Sequence, residues 1–429
     1  MTDMPSENTS PRRLGLFEAW GVELEYMLVG RENLNVQPIC DRLLEAETGT
    51  LCSDVDRGKI AWSNELVLHV VELKTAAPVS TLQGLAAAFS AETRHINQLL
   101  RPLNAQLMPS AMHPWMDPFQ EMQLWPHDCS VVYQAFNRIF DCRGHGWANL
   151  QSVHLNLPFR DDQEFGRLHA AVRLLLPLLP AIAAASPICD QKLSTYLDHR
   201  LHVYRSNSRR FPSITGRVIP EQAWSETEYR ERILQPMYAD IAPHDPEEVL
   251  QDEYLNARGA IARFGRGSIE IRVIDIQETP FADLAVLQAA VAVLKALAEE
   301  RWCSLRDQQA VPVEPLALLF DRAVKDADQA IIDDPELLRL FNQPAQPLTL
   351  LELWRALDQQ LQPNMEPAVR SAFEQILTHG PLARRIHDRF AAAPEERSPE
   401  KLSPEKLRLL AQELCECLND GRQLNSENS

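Results

Sequence analysis

The nine residues GVELEYMLV, positions 21–29, constrain this chain more than any others. Val22, Leu24, Tyr26 and Leu28 alternate with Glu23, Glu25 and Met27. A period of two marks a strand, predicted over 22–29, and it puts both glutamates on one face roughly 7 Å apart. The same alternation returns twice. Ser152, His154 and Asn156 alternate with Val153, Leu155 and Leu157 over 152–157. Ser268, Glu270 and Arg272 alternate with Ile269, Ile271 and Val273 over 267–276. Further strands are predicted at 65–73 and 105–111, with helices over 81–103 and 161–185. Strands with one greasy and one polar face predict an antiparallel sheet whose apolar face packs on helices and whose polar face lines a site. The fold class is α+β.

From Pro280 onward the pattern is helical. Leu284, Leu287, Val291 and Leu294 keep helical spacing, and Thr349 with Glu352 forms a capping-box signature. Residues 398–407 read SPEKLSPEKL, a short tandem duplication. Ser403 and Pro404 then open a helix with Leu407, Leu410, Leu414 and Leu418 as its buried stripe. Residues 1–13 and 421–429 read as disordered tails, 14–300 as the sheet-bearing domain, and 301–420 as a helical extension packed on it. That extension is expected to supply stability or subunit contacts, with a homo-oligomer left open, and no catalytic group.

A net charge of −18 argues against a nucleic-acid or anionic-membrane binder, which needs a positive field. The eight cysteines are scattered without metal-knuckle spacing. They predict buried, reduced thiols and a cytoplasmic setting. Residues 1–13 are polar and predict no secretory leader. The longest apolar run noted, 174–188, contains Pro177, Pro180 and Pro187. It is shorter than the roughly 20 residues of a membrane span and reads as a buried, proline-interrupted helix.

Several residues carry chemistry. Glu23 and Glu25 fit a divalent cation, which prefers carboxylate oxygen, or a solvated strand face. Glu65 and Glu72 bracket the predicted second strand at an odd separation. A regular strand would therefore place them on opposite faces unless Glu65 precedes it or a bulge intervenes. Glu72 has apolar flanks and is the buried member, or else a partner for Lys74. His154 is a structural histidine or a ligand. Glu270 and Arg272 share a face and either pair or divide labour between a metal and a phosphate. Arg263 and Arg266, beside Gly265 and Gly267, add positive charge where the backbone can approach a ligand closely. Arg205, Arg209, Arg210 and Arg217 form an anion site or a basic surface loop. Walker, Rossmann, serine-elbow and zinc-helix motifs are missing from the sequence.

Taken in order, GVELEYMLV, NELVLHVVELKTAAPV, SVHLNLP and RFGRGSIEIRVIDIQETPFAD resemble the successive motifs of the glutamate–cysteine ligase family, in its bacterial carboxylate–amine ligase branch. The resemblance spans 20–297. It implies a glutamine-synthetase-like catalytic domain in which a curved antiparallel sheet, backed by helices, carries metal-binding carboxylates on its inner face. By resemblance, Glu23 and Glu25 are metal ligands of the first strand, and Glu65 and Glu72 the acidic positions of the second. His154 lies near metals and nucleotide, Glu270 is the late-strand ligand, and Arg272 stands beside the transferring phosphate. Arg263 and Arg266 fall on the nucleotide side, while Ser208, Arg209 and Arg210 fall in the substrate-side loop. The first motif reads ELE where many branch members read EEE, and Leu24 points to the other face.

The resemblance implies an ATP- and Mg²⁺- or Mn²⁺-dependent ligase acting on a small-molecule carboxylate, by default glutamate or a related amino acid, and an amine. ATP would phosphorylate the acid and the amine would displace phosphate. Two rivals stand beside it: a catalytically silent, nucleotide-binding partner subunit, and a guanidino kinase that stops at phosphoryl transfer. The presence of Glu23, Glu25, Glu72, Glu270 and Arg272 together favours an enzyme.

Overall fold

A computed structural model describes residues 13–391 and 401–424. Its centre is an eight-stranded, wholly antiparallel sheet, with strands β1 (Gly21–Gly30), β2 (Asp54–Asp56), β3 (Ile60–Asn64), β4 (Val70–Thr75), β5 (Ala105–Met108), β6 (Ser152–Pro158), β7 (Ala260–Arg263) and β8 (Ser268–Asp275). The order is β2-β3-β4-β1-β6-β8-β7, and β5 also pairs with β1. β1 is the hub. One edge binds β4, while along the other its first half binds β6 and its second half binds β5.

The alternation in β1 sorts its side chains as the period of two predicts. Val22, Leu24, Tyr26 and Leu28 enter the main core. Glu23 and Glu25 share the opposite face with Met27 and Val29, which join a second, smaller core with Val67, Val70, Met108 and Met116. That face is thus divided lengthwise, polar at the start of β1 and plugged by apolar packing at its end.

Three local readings are corrected. The segment 65–73 is not one strand: β3 ends at Asn64, residues 65–69 turn, and β4 begins at Val70. No glycine or proline marks the turn in NELVLHVVEL, so the apolar run looks continuous in sequence. The odd spacing of Glu65 and Glu72 follows from that turn. Strand β8 carries a bulge, with Arg272 and Val273 together opposite His154. Strands β2 and β7, three and four residues long, were not anticipated.

Helix α1 (Pro280–Ala298) begins at Thr279, whose side chain accepts from the Ala282 amide. It has the length and hydropathy of a membrane span, yet 83% of its most apolar window is buried inside the protein. Its role here is that of a core helix, against which the sheet's apolar face and the C-terminal helices pack. The capping box at Thr349 and Glu352 is present. Leu407, Leu410, Leu414 and Leu418 are buried along the helix Pro404–Asp420. Residues 398–400 of the tandem repeat, and residues 1–12 and 425–429 of the two tails, lie outside the described residues. Within the predicted tail 421–429, Leu424 is fully buried: its carbonyl accepts from Arg385 and its amide donates to Glu278. The chain is therefore anchored through that residue.

Candidate active site

A cavity of about 1250 Å³ opens over the polar half of the sheet. Its floor comes from four adjacent strands. β1 supplies Glu23 and Glu25, β4 supplies Glu72 and Lys74, β6 supplies Ser152, His154 and Asn156, and β8 supplies Glu270 and Arg272. Glu65 reaches the same space from the turn between β3 and β4. Registers decide the neighbours: Glu25 stands opposite Glu72, Glu23 opposite both Lys74 and His154, and Glu270 opposite Asn156. Like charges directly opposite on antiparallel strands are destabilising, so the Glu25–Glu72 pair needs a compensating cation.

Two groups of side chains offer converging ligand atoms, Glu23–His154–Glu270 and Glu25–Glu72–His154, with the atoms of each within 4.8 Å of one another. The donors are carboxylate oxygens plus one imidazole, a hard set that fits Mg²⁺ or Mn²⁺ rather than a thiolate-seeking metal. Glu25 and Glu65 have no cationic side chain within ion-pair distance among the described residues. Burial, then the charges of Glu72, Glu25 and Glu23, pushes Glu65 well above the usual carboxylate range. Burial and the charge of Glu23 likewise hold Glu72 at about 7, against the pull of Lys74. Burial also works to raise Glu23, but the hydrogen bond and charge of His154, with Arg272 and Lys74, outweigh it and bring the carboxyl down to about 2. Burial would lower His154, but its bond to Glu23 at 2.8 Å and the nearby carboxylates raise it to about 9. Part of this corner therefore carries protons that a bound cation would displace.

Arg272 lies with Nε 2.9 Å from Glu270 Oε1, and Arg263 lies 3.6 Å from Glu270 Oε2. Burial works against its charge, but Glu270, Tyr204, Glu23 and Glu25 raise Arg272 above its ordinary value, so it is permanently cationic. The Arg272 side chain is 27% exposed and lines the cavity. Its Nε does not make an aligned hydrogen bond to Glu270. Pairing and ligand contact are thus compatible in one residue. Arg200, sealed against Asp275, donates from its second nitrogen to the Arg272 carbonyl at 3.3 Å and braces the bulge.

The arginine run separates. Ser208 is buried, lines the cavity, and its Oγ has no hydrogen-bond partner. Arg209 and Arg210 are exposed and do not line the cavity; Arg210 donates instead to the Ile139 carbonyl and faces His244. Arg205 pairs with Asp321, and Arg217 with Glu314 and Asp321. Of this stretch the structure brings Ser208 to the cavity, and not Arg205, Arg209, Arg210 or Arg217. Arg266 reaches the rim together with Arg13. Cys129 is exposed at the cavity, unlike the buried thiol expected there. All eight cysteines are free.

Residues that the motifs did not single out complete the walls. Tyr133, Phe136 and Trp147 line the cavity, the Tyr133 hydroxyl accepting from Asn64 at the end of β3, and Tyr204 and Asn207 line it with Ser208. Ser152 and Asn156 were legible as members of the polar face of β6. The aromatic wall was not: Val132, Ala135, Phe136, Ile139 and Phe140 keep helical spacing, but no motif in 116–149 says what that helix lines. A third ligand-like group, His145, Cys189 and Asp190, lies away from the sheet. There the Asn149 amide donates to His145 Nδ1, which leaves Nε2 as the N–H facing Asp190 and not free for a metal.

Residues 19–406 match the model of glutamate-cysteine ligase family 2. An uncharacterized protein of Archaeoglobus fulgidus is 35% identical over 322 residues, covering 75% of this chain and 83% of that protein. Among solved structures, a glutamate–cysteine ligase from Francisella tularensis in complex with AMP superposes with a TM-score of 0.56 at 11% identity, covering 95% of this chain and 90% of that one. A bifunctional glutathione synthetase from Pasteurella multocida gives 0.55 at 12% identity over 94% of this chain, which spans about half of that protein (53%).

Proposed function

The chain belongs to glutamate–cysteine ligase family 2, and from that premise we propose that it is an ATP-dependent ligase joining a small-molecule carboxylate to an amine through an acyl phosphate. The observation that carries the reading is the register of the sheet. It sets carboxylates of three strands and the β3–β4 turn beside Arg272 and Arg263 in one cavity.

The reaction has two displacements. A carboxylate oxygen of the acid attacks the terminal phosphorus of ATP and ADP leaves. The amine nitrogen then attacks the acyl carbon, phosphate leaves, and the amine gives up a proton. Both steps develop negative charge at phosphoryl oxygens. Arg272 offers two parallel donors to that charge from a fixed position on the bulge. Glu23, His154 and Glu270 would hold one Mg²⁺ or Mn²⁺, and Glu25 and Glu72, with Glu65 beside them, a second. Bound there, the ions neutralise phosphate charge and relieve the repulsion among the carboxylates. The volume of about 1250 Å³ exceeds the roughly 300–1,000 Å³ of most small-ligand pockets, room for a nucleotide and a second substrate together. Glutamate is the default acid on family grounds, and the amine is open.

Phosphate release from ATP, measured across a panel of amino acids offered in pairs as acid and amine, tests the reading. Release that requires both partners, with an amide product of matching mass, is expected. Stable phosphorylation of one substrate with no need for an amine would replace the ligase by a kinase. Nucleotide binding with no turnover on any pair would favour a silent subunit.

A further inference from the structure

We propose that Ser152 is a positioning residue for the carboxylate face, limiting Glu25 to one free oxygen and fixing His154 between the two ligand groups; this rests on the metal reading above. The pairing of β1 with β6 stops at Leu24 opposite Val153, and β5 takes over the same edge only at Met27. Between them the ladder has a gap, and the amide of Ser152 falls in it. That amide donates to Glu25 Oε2 at 2.6 Å. An orphan N–H beside a carboxylate accounts for this bond whatever the side chain at 152.

The hydroxyl adds what the backbone does not require. Ser152 Oγ lies 3.0 Å from the same Glu25 Oε2 and 2.9 Å from His154 Nε2. The hydroxyl donates to Glu25, so its oxygen accepts from His154. Nδ1 of the same ring faces Glu23 Oε2 at 2.8 Å. The result is a continuous chain, Glu25–Ser152–His154–Glu23, extended by Asn156 donating to Glu23 Oε1 at 3.0 Å. It crosses from one ligand group to the other through the residue they share. With Oε2 taken twice, Glu25 presents Oε1 alone to the cavity, which makes it a one-oxygen ligand. Ser152 is 5% exposed, so this arrangement is not a surface accident.

The test compares Ser152→Ala, which keeps the amide bond, with Ser152→Thr, which keeps the hydroxyl. Mn²⁺ uptake by metal-free protein, followed by the electron paramagnetic resonance of free Mn²⁺, is the first readout. The Mg²⁺ concentration for half-maximal turnover is the second. Residues that orient metal ligands typically contribute about 10–100-fold in metal affinity. Ser152→Ala should need about tenfold more Mn²⁺ and Mg²⁺, with turnover recovering as Mg²⁺ is raised, while Ser152→Thr stays near the wild type. A merely structural serine would lower melting without moving the metal curves. If Ser152→Ala is too unstable to titrate, Ser152→Gly supplies the same contrast. Metal curves that coincide for wild type and the hydroxyl-less variants overturn the proposal. Wild-type protein that takes up no Mn²⁺ overturns the metal reading and this proposal with it.

Discussion

Two of the places where this protein buries carboxylates do so in opposite ways. In the helical part, Glu278 and Arg385 meet at 2.7 Å with both side chains fully buried, and Leu424 bonds to each of them. On the polar half of the sheet, Glu25 faces Glu72 across a strand pair and Glu65 stands beside them. The nearest cation, Lys74, is shared with Asp54. A buried one-to-one pair neutralises its own charge and serves structure. A buried set of like charges costs stability wherever nothing is bound to it, and a fold keeps it for what it can bind.

The contrast can be broken by exchanging charges in each region. Glu23→Gln and Glu270→Gln remove a ligand at constant volume and should lower turnover by roughly three orders of magnitude while the protein stays folded by circular dichroism. Near-normal rates in both would end the metal assignment. In the helical region the same kind of change should act on folding. Arg385→Met strands Glu278 in the core and should cost about 3–5 kcal/mol of stability in denaturant titration, with turnover per folded molecule changed by only a few-fold. A loss of turnover without a loss of stability would mean the two regions are not separate.

Arg272 lies on the boundary of the comparison, because it both pairs with Glu270 and lines the cavity. Arg272→Lys keeps the charge and loses the planar fork. Turnover should fall roughly 100-fold with nucleotide affinity nearly kept, the usual scale for one transition-state donor. Wild-type turnover in the Lys variant would assign Arg272 to the structural class.

The smallest effect is a dependence on pH. Glu72 sits at about 7 when folded against 4.5 in the ordinary case, so stability falls as pH rises across that window. His154 sits at about 9 against 6.5, and its contribution, complete below 6.5, is lost by about 9. Glu23, at about 2, runs the other way and matters only in acid, where its contribution is lost as pH falls from 4.5 toward 2. Metal-free protein should therefore melt lower at pH 9 than at pH 5, and saturating Mg²⁺ should flatten that slope. A melting temperature that rises with pH in the absence of metal would contradict the charge arrangement.

What the sequence disclosed follows the same division. Strict alternation in β1, β6 and β8 revealed which residues share the polar face, because pleating alone fixes it. The helix at Pro280–Ala298, the cap at Thr349 and the helix start at Ser403 and Pro404 were legible from local chemistry, although the Ser403 side chain makes no capping bond. The β3–β4 turn was hidden because no breaker interrupts the apolar run. The bulge at Arg272 left a trace in the sequence, since alternation breaks just past it, where Val273 and Ile274 are both apolar and Asp275 follows. Arg209 and Arg210 looked like Ser208 because sequence proximity does not say which way a short loop turns its side chains. The aromatic wall, Tyr133 and Phe136 from the helix Ser130–Phe140 with Trp147 beyond it, depends on tertiary placement. So did the anchoring of Leu424, whose partners are 39 and 146 residues away.

The central claim is that the clustered carboxylates of the sheet form a divalent-metal site. Titrating Mn²⁺ into metal-free wild-type protein and into the Glu23→Gln, Glu25→Gln and Glu270→Gln variants, with bound ion read by electron paramagnetic resonance, tests it without any assumption about substrates. The account predicts more than one Mn²⁺ per wild-type chain and weakened uptake in every variant, with Glu25→Gln affecting a different ion from Glu23→Gln and Glu270→Gln. Folded wild-type protein that takes up no Mn²⁺, or variants whose uptake matches the wild type, would contradict it.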